Sequence, residues 1–165
     1  PEVPLEWALG EFVKLRKQGK ARTIGVSNFP TALVRKALEI DADVVANQVE
    51  YHPYLSQRPL LDLMRSRGLV LIAHSPLVRG KILDDPILQE IARRRKLSVA
   101  QVALRWLVQQ ERVVAIPGVQ NVEQLRENLK VLDVTFTGAE MAAVSALARG
   151  TRIVDPKHGP AWDAA

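Results

Sequence analysis

Apolar residues recur along the chain at two alternating periods. Leu5, Leu9, Phe12, Val13 and Leu15 fall at helical spacing, and Gly19 stands where a helix would stop. Pro1 leads almost directly into this helix. Arg22–Val26 then reads as a short buried strand. Leu33, Val34, Ala37 and Leu38 mark a second helix, with Pro30 near its first turn. Val44–Val49 reads as a strand. Leu60, Leu61 and Met64 predict a third helix closed by Gly68, and Leu69–Ala73 is the clearest buried strand. In the second half, Asp85 followed by Pro86 opens a helix as N-cap and first-turn proline. Ser98 with Gln101 has the form of a capping box, ahead of Val102, Leu104, Trp106 and Leu107. Val113–Ile116 is a fourth strand. Asn121 with Gln124, and Thr137 with Glu140, open two more helices. From about Gly150 a tail follows, in which Pro156, Gly159 and Pro160 interrupt regular structure.

Strand and helix thus alternate four times. The strands are continuous apolar runs, which predicts a parallel α/β sheet covered on both faces. Two architectures fit: an open doubly wound sheet, or part of an eight-stranded (β/α) barrel. No Gly-x-Gly-x-x-Gly turn follows any strand, which weakens the dinucleotide-fold form of the open sheet. A full barrel needs about 250 residues, so four units amount to half of one.

Composition narrows the function classes. The 165 residues are 47% hydrophobic and 25% charged, as in an ordinary soluble globular domain. No apolar run reaches the roughly 18–20 residues that span a bilayer, and the opening residues do not have the form of a secretory signal. The chain starts on Pro1 instead of methionine, and is expected to be a piece of a longer polypeptide. The absence of cysteine excludes disulfides, thiolate metal sites and cysteine nucleophiles, and fits a reducing, cytoplasmic setting. The formal charge of +5 suits anionic small molecules as well as nucleic acid. The densest cationic run, Arg93 to Lys96, ends a helical pattern where the helix dipole favours cations. No aromatic residues interleave with it, so neither a nucleic-acid nor a membrane partner is expected.

In either architecture the ligand site lies beyond the carboxyl ends of the strands. Ser27 and Asn28 follow the first strand. The second ends in Asn47, Gln48 and Glu50, followed by Tyr51, His52, Pro53 and Tyr54. His74, Ser75, Arg79, Gly80 and Lys81 follow the third, and Gly118, Gln120 and Asn121 the fourth. Amides and hydroxyls dominate and carboxylates are few. Asn28 also suits a helix cap, Gln48 also suits loop backbone, and His52 reads as a structural histidine more than a base. There is no His-Glu-x-x-His or comparable spacing for a metal and no Gly-x-Ser-x-Gly elbow. Tyr51 and Tyr54 have no adjacent lysine to make either an evident general acid. Arg79-Gly80-Lys81 joins two cations to flexible backbone. Gly118 to Asn121 leads into a helix N-terminus, where free N–H groups favour phosphate. Phosphate sites at the loops after strands seven and eight recur in barrels, which favours reading these as the last four strands of eight.

Gly25-Val-Ser-Asn-Phe29, Asn47-Gln-Val-Glu-Tyr-His-Pro-Tyr54, Ser75-Pro-Leu77, Ile116-Pro117 and Glu127-Asn128 together resemble the aldo-keto reductases, over essentially the whole chain. The tail, with Pro160 and Trp162, is most similar to the bacterial 2,5-diketogluconate reductases within that family. The resemblance implies a (β/α)₈ barrel of which residues 1–165 are the carboxyl half, a single incomplete domain. It implies hydride transfer from NADP or NAD to a small aldehyde or ketone. Ser27, Asn28 and Gln48 would hold the nicotinamide carboxamide, whose donors and acceptors match an amide side chain. The loop from Ser75 through Leu77 and Arg79 to Lys81 would cover the pyrophosphate. Glu127 and Asn128 would hold the adenine end.

The sequence departs from the family pattern at three points. His74 stands where an aromatic ring, often tyrosine, stacks on the nicotinamide, and imidazole can charge near neutral pH. Gly118-Val119 replaces the usual Lys-Ser, and Gln124 replaces a later arginine. Those cations bind the 2′-phosphate of NADP, so preference for NADP over NAD is expected to be weak or reversed, with Arg126 or Arg79 as substitutes. The catalytic Asp, Tyr, Lys and His of the family lie on the first four strands, so no catalytic residue is assigned here. An opened half-barrel would bare strand edges near Ile24 and Val114, and is expected to dimerise, aggregate or recruit the missing half.

Overall fold

The computed structural model describes residues 3–40, 43–157 and 159–163; Pro1 lies outside the described residues. Four parallel strands, β1 (Ile24–Ser27), β2 (Val44–Glu50), β3 (Val70–His74) and β4 (Val113–Ala115), lie in the sheet in chain order. Helices α1 (Leu5–Lys17), α2 (Thr31–Ile40), α3 (Arg58–Ser66), α4 (Pro86–Arg95), α5 (Val99–Val108), α6 (Val122–Leu129) and α7 (Gly138–Ser145) accompany it. A doubly wound sheet reverses its strand order at a switch point. This sheet does not, so the order is that of successive barrel units.

The helices begin and end where the chain chemistry dictates. The Asp85 carboxylate accepts from the Ile87 and Leu88 N–H groups at the start of α4. Ser98 and Gln101, and Thr137 and Glu140, close two capping boxes. At the end of α3 the Gly68 N–H donates to Arg65 and the Leu69 N–H to Met64, a Schellman motif. It sets Gly68 at φ +70°, which a side chain would oppose. The chain then turns directly into β3.

The core lies on one face of the sheet. Val49, Leu71, Ala73 and Val113 pack against Leu60, Leu61 and Met64 of α3, Leu88 and Ile91 of α4, and Val102 and Leu107 of α5. A smaller cluster joins Leu9, Ala37 and Val44 beneath α1 and α2. The other face is open: Val45, Val114 and Ile116 are 40%, 48% and 44% exposed. This corrects the expectation of two covered faces. The helices of each crossover cover one side only; the opposite side is the one a closed ring of strands would enclose. Ile24, expected at a bare edge, is buried, whereas Val114 is exposed.

Candidate functional site

Strand register brings the polar strand ends together. Ser27 lies opposite Gln48, and Glu50 lies opposite His74. β1 and β3 each run past their apolar stretch, so Ser27 and His74 are the final residues of their strands. The Ser27 hydroxyl and the Asn28 N–H both donate to the Gln48 carbonyl, at 3.0 and 2.8 Å. Asn28 sits at φ +58°, a conformation that asparagine tolerates better than most residues. Buried Asn47 fixes this loop by donating to the Phe29 carbonyl at 2.7 Å. The Asn28 Oδ1 then lies 3.4 Å from His74 Nε2, and the Ser75 hydroxyl lies 3.1 Å from His74 Nδ1. Among the described residues the half-buried Gln48 carboxamide has no hydrogen-bond partner, so its donors and acceptor are free to meet another amide.

Beside this cluster lies a cavity of about 450 Å³, lined by Ser75, Pro76, Leu77, Arg79, Ile116, Gly118 and Gln120. Its lining residue Arg79 belongs to a 3₁₀ turn at Val78–Gly80, in which Val78 and Arg79 adopt φ of +52° and +53°. Buried Val78 anchors that turn, while Arg79 remains exposed at the rim. Ser75, Leu77, Arg79 and Gly118 therefore line one cavity. Four other sequence candidates lie neither in this cavity nor in the strand-end cluster. Lys81 is exposed beyond the turn. Gln124 is engaged at the start of its own helix, its side chain accepting from the Gln120 N–H at 2.8 Å. Glu127 pairs with Lys130 at 2.5 Å. Asn128 lines a separate apolar pocket of about 230 Å³ with Leu104, Pro117 and Leu129.

Burial sets the charge states nearby. His74 is half-buried, and desolvation lowers its pKa from the ordinary value near 6.5, so the ring is neutral at pH 7. The charging that an exposed imidazole would show near neutrality is thereby suppressed. Tyr51 is pushed up to about 12, mainly by burial, and packs on Trp106 with ring centroids 5.1 Å apart. Tyr54 is also raised, by burial and by its bond to Asp85. His52 is fully buried against Glu50 at 2.8 Å, a structural histidine as its setting suggested. Among the described residues no cluster of three or more His, Asp or Glu could hold a metal, and no helix is long and apolar enough to cross a membrane.

Sequence reasoning named Glu50 only as a strand-end residue and missed its partners. Its carboxylate accepts from the Ile153 and Val154 N–H groups at 2.7 and 2.8 Å. These contacts bridge about a hundred residues, and no local pattern announces them. Pro76 and Gln120 were also left out of the expected binding set. Their positions beside Ser75 and Gly118 were the available signal.

Comparison with known proteins gives a consistent picture. The profile of the aldo/keto reductase family matches residues 1–149. A glyoxal reductase of Bacillus subtilis (strain 168) is 40% identical over 142 residues, covering 85% of this chain and 51% of the relative. The methylglyoxal reductase DkgB of Salmonella typhimurium (strain LT2) is 34% identical over 164 residues, covering 98% of this chain and 61% of the relative. A crystal structure provisionally assigned as a 2,5-diketo-D-gluconic acid reductase B superposes with a TM-score of 0.96 at 42% identity, covering 99% of this chain and 59% of that one. The chain thus spans about half the length of the relatives it matches.

Proposed function

The chain belongs to the aldo/keto reductase family of oxidoreductases, and from that premise we propose that it is the dinucleotide-holding half of an enzyme that reduces aldehydes or ketones with NADH or NADPH. The observation that carries this reading is the convergence of Ser27, Asn28, Gln48, His74 and Ser75 at the carboxyl ends of three adjacent strands. The group that would bind is a nicotinamide dinucleotide, and the side chains fit it. A free carboxamide at Gln48, a hydroxyl at Ser27 and the amide of Asn28 match a primary amide donor for acceptor. The cavity rimmed by Arg79 offers a cation to a pyrophosphate. When bound, the reduced nicotinamide supplies the hydride.

The chain's own residues bind and orient. Ser27 and Asn28 are locked by the Gln48 carbonyl, so that end of the site is set before ligand arrives. His74, neutral and flanked by Asn28 and Ser75, presents a flat ring without adding charge. Neither Tyr51 nor Tyr54 is placed to give a proton to a bound carbonyl; both are buried away from this cluster and bonded to Gln110 and Asp85. The proton donor of the complete reaction is therefore assigned to no residue of this chain. Gly118 and Gln124 leave the nucleotide's 2′-phosphate without its usual cations, which supports a weak or reversed preference for NADP over NAD. A cytoplasmic setting is consistent with the cysteine-free sequence.

Backbone chemical-shift mapping with NADH tests this reading. Shifts at Asn28, Gln48, His74 and Ser75 are expected, and a response confined to residues remote from the strand ends would overturn it. A second reading, a non-catalytic half-barrel that assembles through its bare sheet face, is favoured by the exposure of Val45, Val114 and Ile116. Light scattering of the isolated chain decides it: dimers or larger species support assembly, and a stable monomer excludes it.

A further inference from the structure

Glu50 is 1% exposed, and both its carboxylate and its carbonyl are engaged. Its carboxylate takes His52 Nε2 at 2.8 Å and the N–H groups of Ile153 and Val154 at 2.7 and 2.8 Å. Its carbonyl takes the Gln57 amide at 2.7 Å. A carboxylate so buried, with three of its roughly four acceptor sites filled by protein donors, has the chemistry of an anchor. What it anchors is the segment after α7. That segment starts at the loop following β2, where the Arg149 and Thr151 N–H groups donate to the Tyr54 carbonyl. It passes Glu50 at the end of β2, and it finishes at the first turn of α2, where Asp163 receives both the backbone N–H and the hydroxyl of Thr31. Between these ties, Arg152 stacks on Trp162 at 3.8 Å, and the Trp162 N–H donates to Asp155 at 3.0 Å. The segment is thus a cross-braced strap over the carboxyl ends of β1 and β2. Arg152 lies close enough to act electrostatically on His74.

We propose that Glu50 is a positioning residue: its carboxylate clamps the strap against β2, and the clamped strap holds the nicotinamide end of the dinucleotide site in its binding shape. This rests on the functional reading above for the cofactor, but the clamp itself does not. Glu50 is the mid-point tie. The end ties act at Tyr54 and Thr31, so loss of the centre frees Arg152 to Asp155 while leaving the sheet and helices in place.

Hydrogen exchange and ligand titration on the full chain test both parts. Glu50→Gln replaces one acceptor oxygen with an N–H₂ that cannot accept from the strap. Val154→Pro deletes one strap donor outside any helix or strand, and keeps the Glu50 side chain itself. Both variants are expected to speed amide exchange across residues 150–157 at least tenfold, with β3 and α5 unchanged. Both should weaken NADH about tenfold while AMP, which lacks the nicotinamide, binds as before. Unchanged exchange in both variants overturns the clamp. Equal weakening of NADH and AMP overturns the positioning role, because it reports general damage. Faster strap exchange in a protein whose wild type binds no NADH upholds the clamp and overturns the cofactor reading.

Discussion

Replacing Gly118 with lysine probes which nucleotide the cavity prefers. Gly118 lines the 450 Å³ cavity, outside the left-handed backbone region, and a Cβ built on it meets nothing within 4 Å. Lysine can therefore enter without strain, and it adds a cation on a different loop from Arg79, at the position where the family resemblance puts a contact to the 2′-phosphate that NADH lacks. A charge-assisted bond to phosphate contributes about 1.5–3 kcal/mol when desolvated. Gly118 is exposed, and solvent screening reduces the gain to about 1–2 kcal/mol. At 1.4 kcal/mol per factor of ten, that is roughly a five- to thirtyfold gain for NADPH, with NADH little changed. Calorimetric titration of wild type and Gly118→Lys with both nucleotides reads the effect. Wild type is expected to favour NADPH by no more than a few-fold. A strong NADPH preference in wild type, or equal tightening of both nucleotides in the variant, would refute the reasoning.

Other outcomes follow from the same geometry. Arg95 grips Glu140 with two parallel bonds, at 2.7 and 2.5 Å, and Glu140 also closes the Thr137 capping box. Glu140→Ala should cost about 2–3 kcal/mol in urea unfolding at pH 7, after discounting for an Arg95 side chain 35% exposed. The Arg95 guanidinium holds the Glu140 pKa down at about 2 against an ordinary 4.5. The charge-dependent part is therefore complete above pH 4.5 and fades as pH falls towards 2, so the two unfolding curves should draw together in that window. A gap that stays constant from pH 7 to 2.5 would show that charge contributes nothing. Because burial keeps His74 neutral at pH 7, NADH affinity should be flat from pH 8 to 7. A severalfold change across that range would mean that the ring titrates there.

The sequence made the alternation of elements, the caps and the strand-end site residues legible, because each depends on neighbours a few positions apart. Ser98–Gln101 and Thr137–Glu140 form the capping boxes their spacing implied. Three strand ends were read short, at Val26, Val49 and Ala73, since polar Ser27, Glu50 and His74 break the apolar run while ladder hydrogen bonds continue. The covered-face expectation failed at Val114 and Ile116 because an apolar run shows that a face needs covering, not that the same chain covers it. Gln124 and Glu127 resembled nucleotide contacts. Their side chains are engaged by Gln120 and Lys130, partners on the same helix or at its edge that also satisfy them. The strap tie at Glu50 depends on contacts across 103 and 104 residues, beyond any local pattern.

Titrating the purified chain with NADH and NADPH, alongside a carbonyl-reduction assay free of host reductases, tests most directly whether this polypeptide grips a dinucleotide without completing the chemistry. Saturable binding is expected, weakened about tenfold by Gln48→Leu through the loss of one or two hydrogen bonds, with no turnover by the chain alone. Failure to bind either nucleotide, or steady aldehyde reduction by the isolated chain, would contradict it.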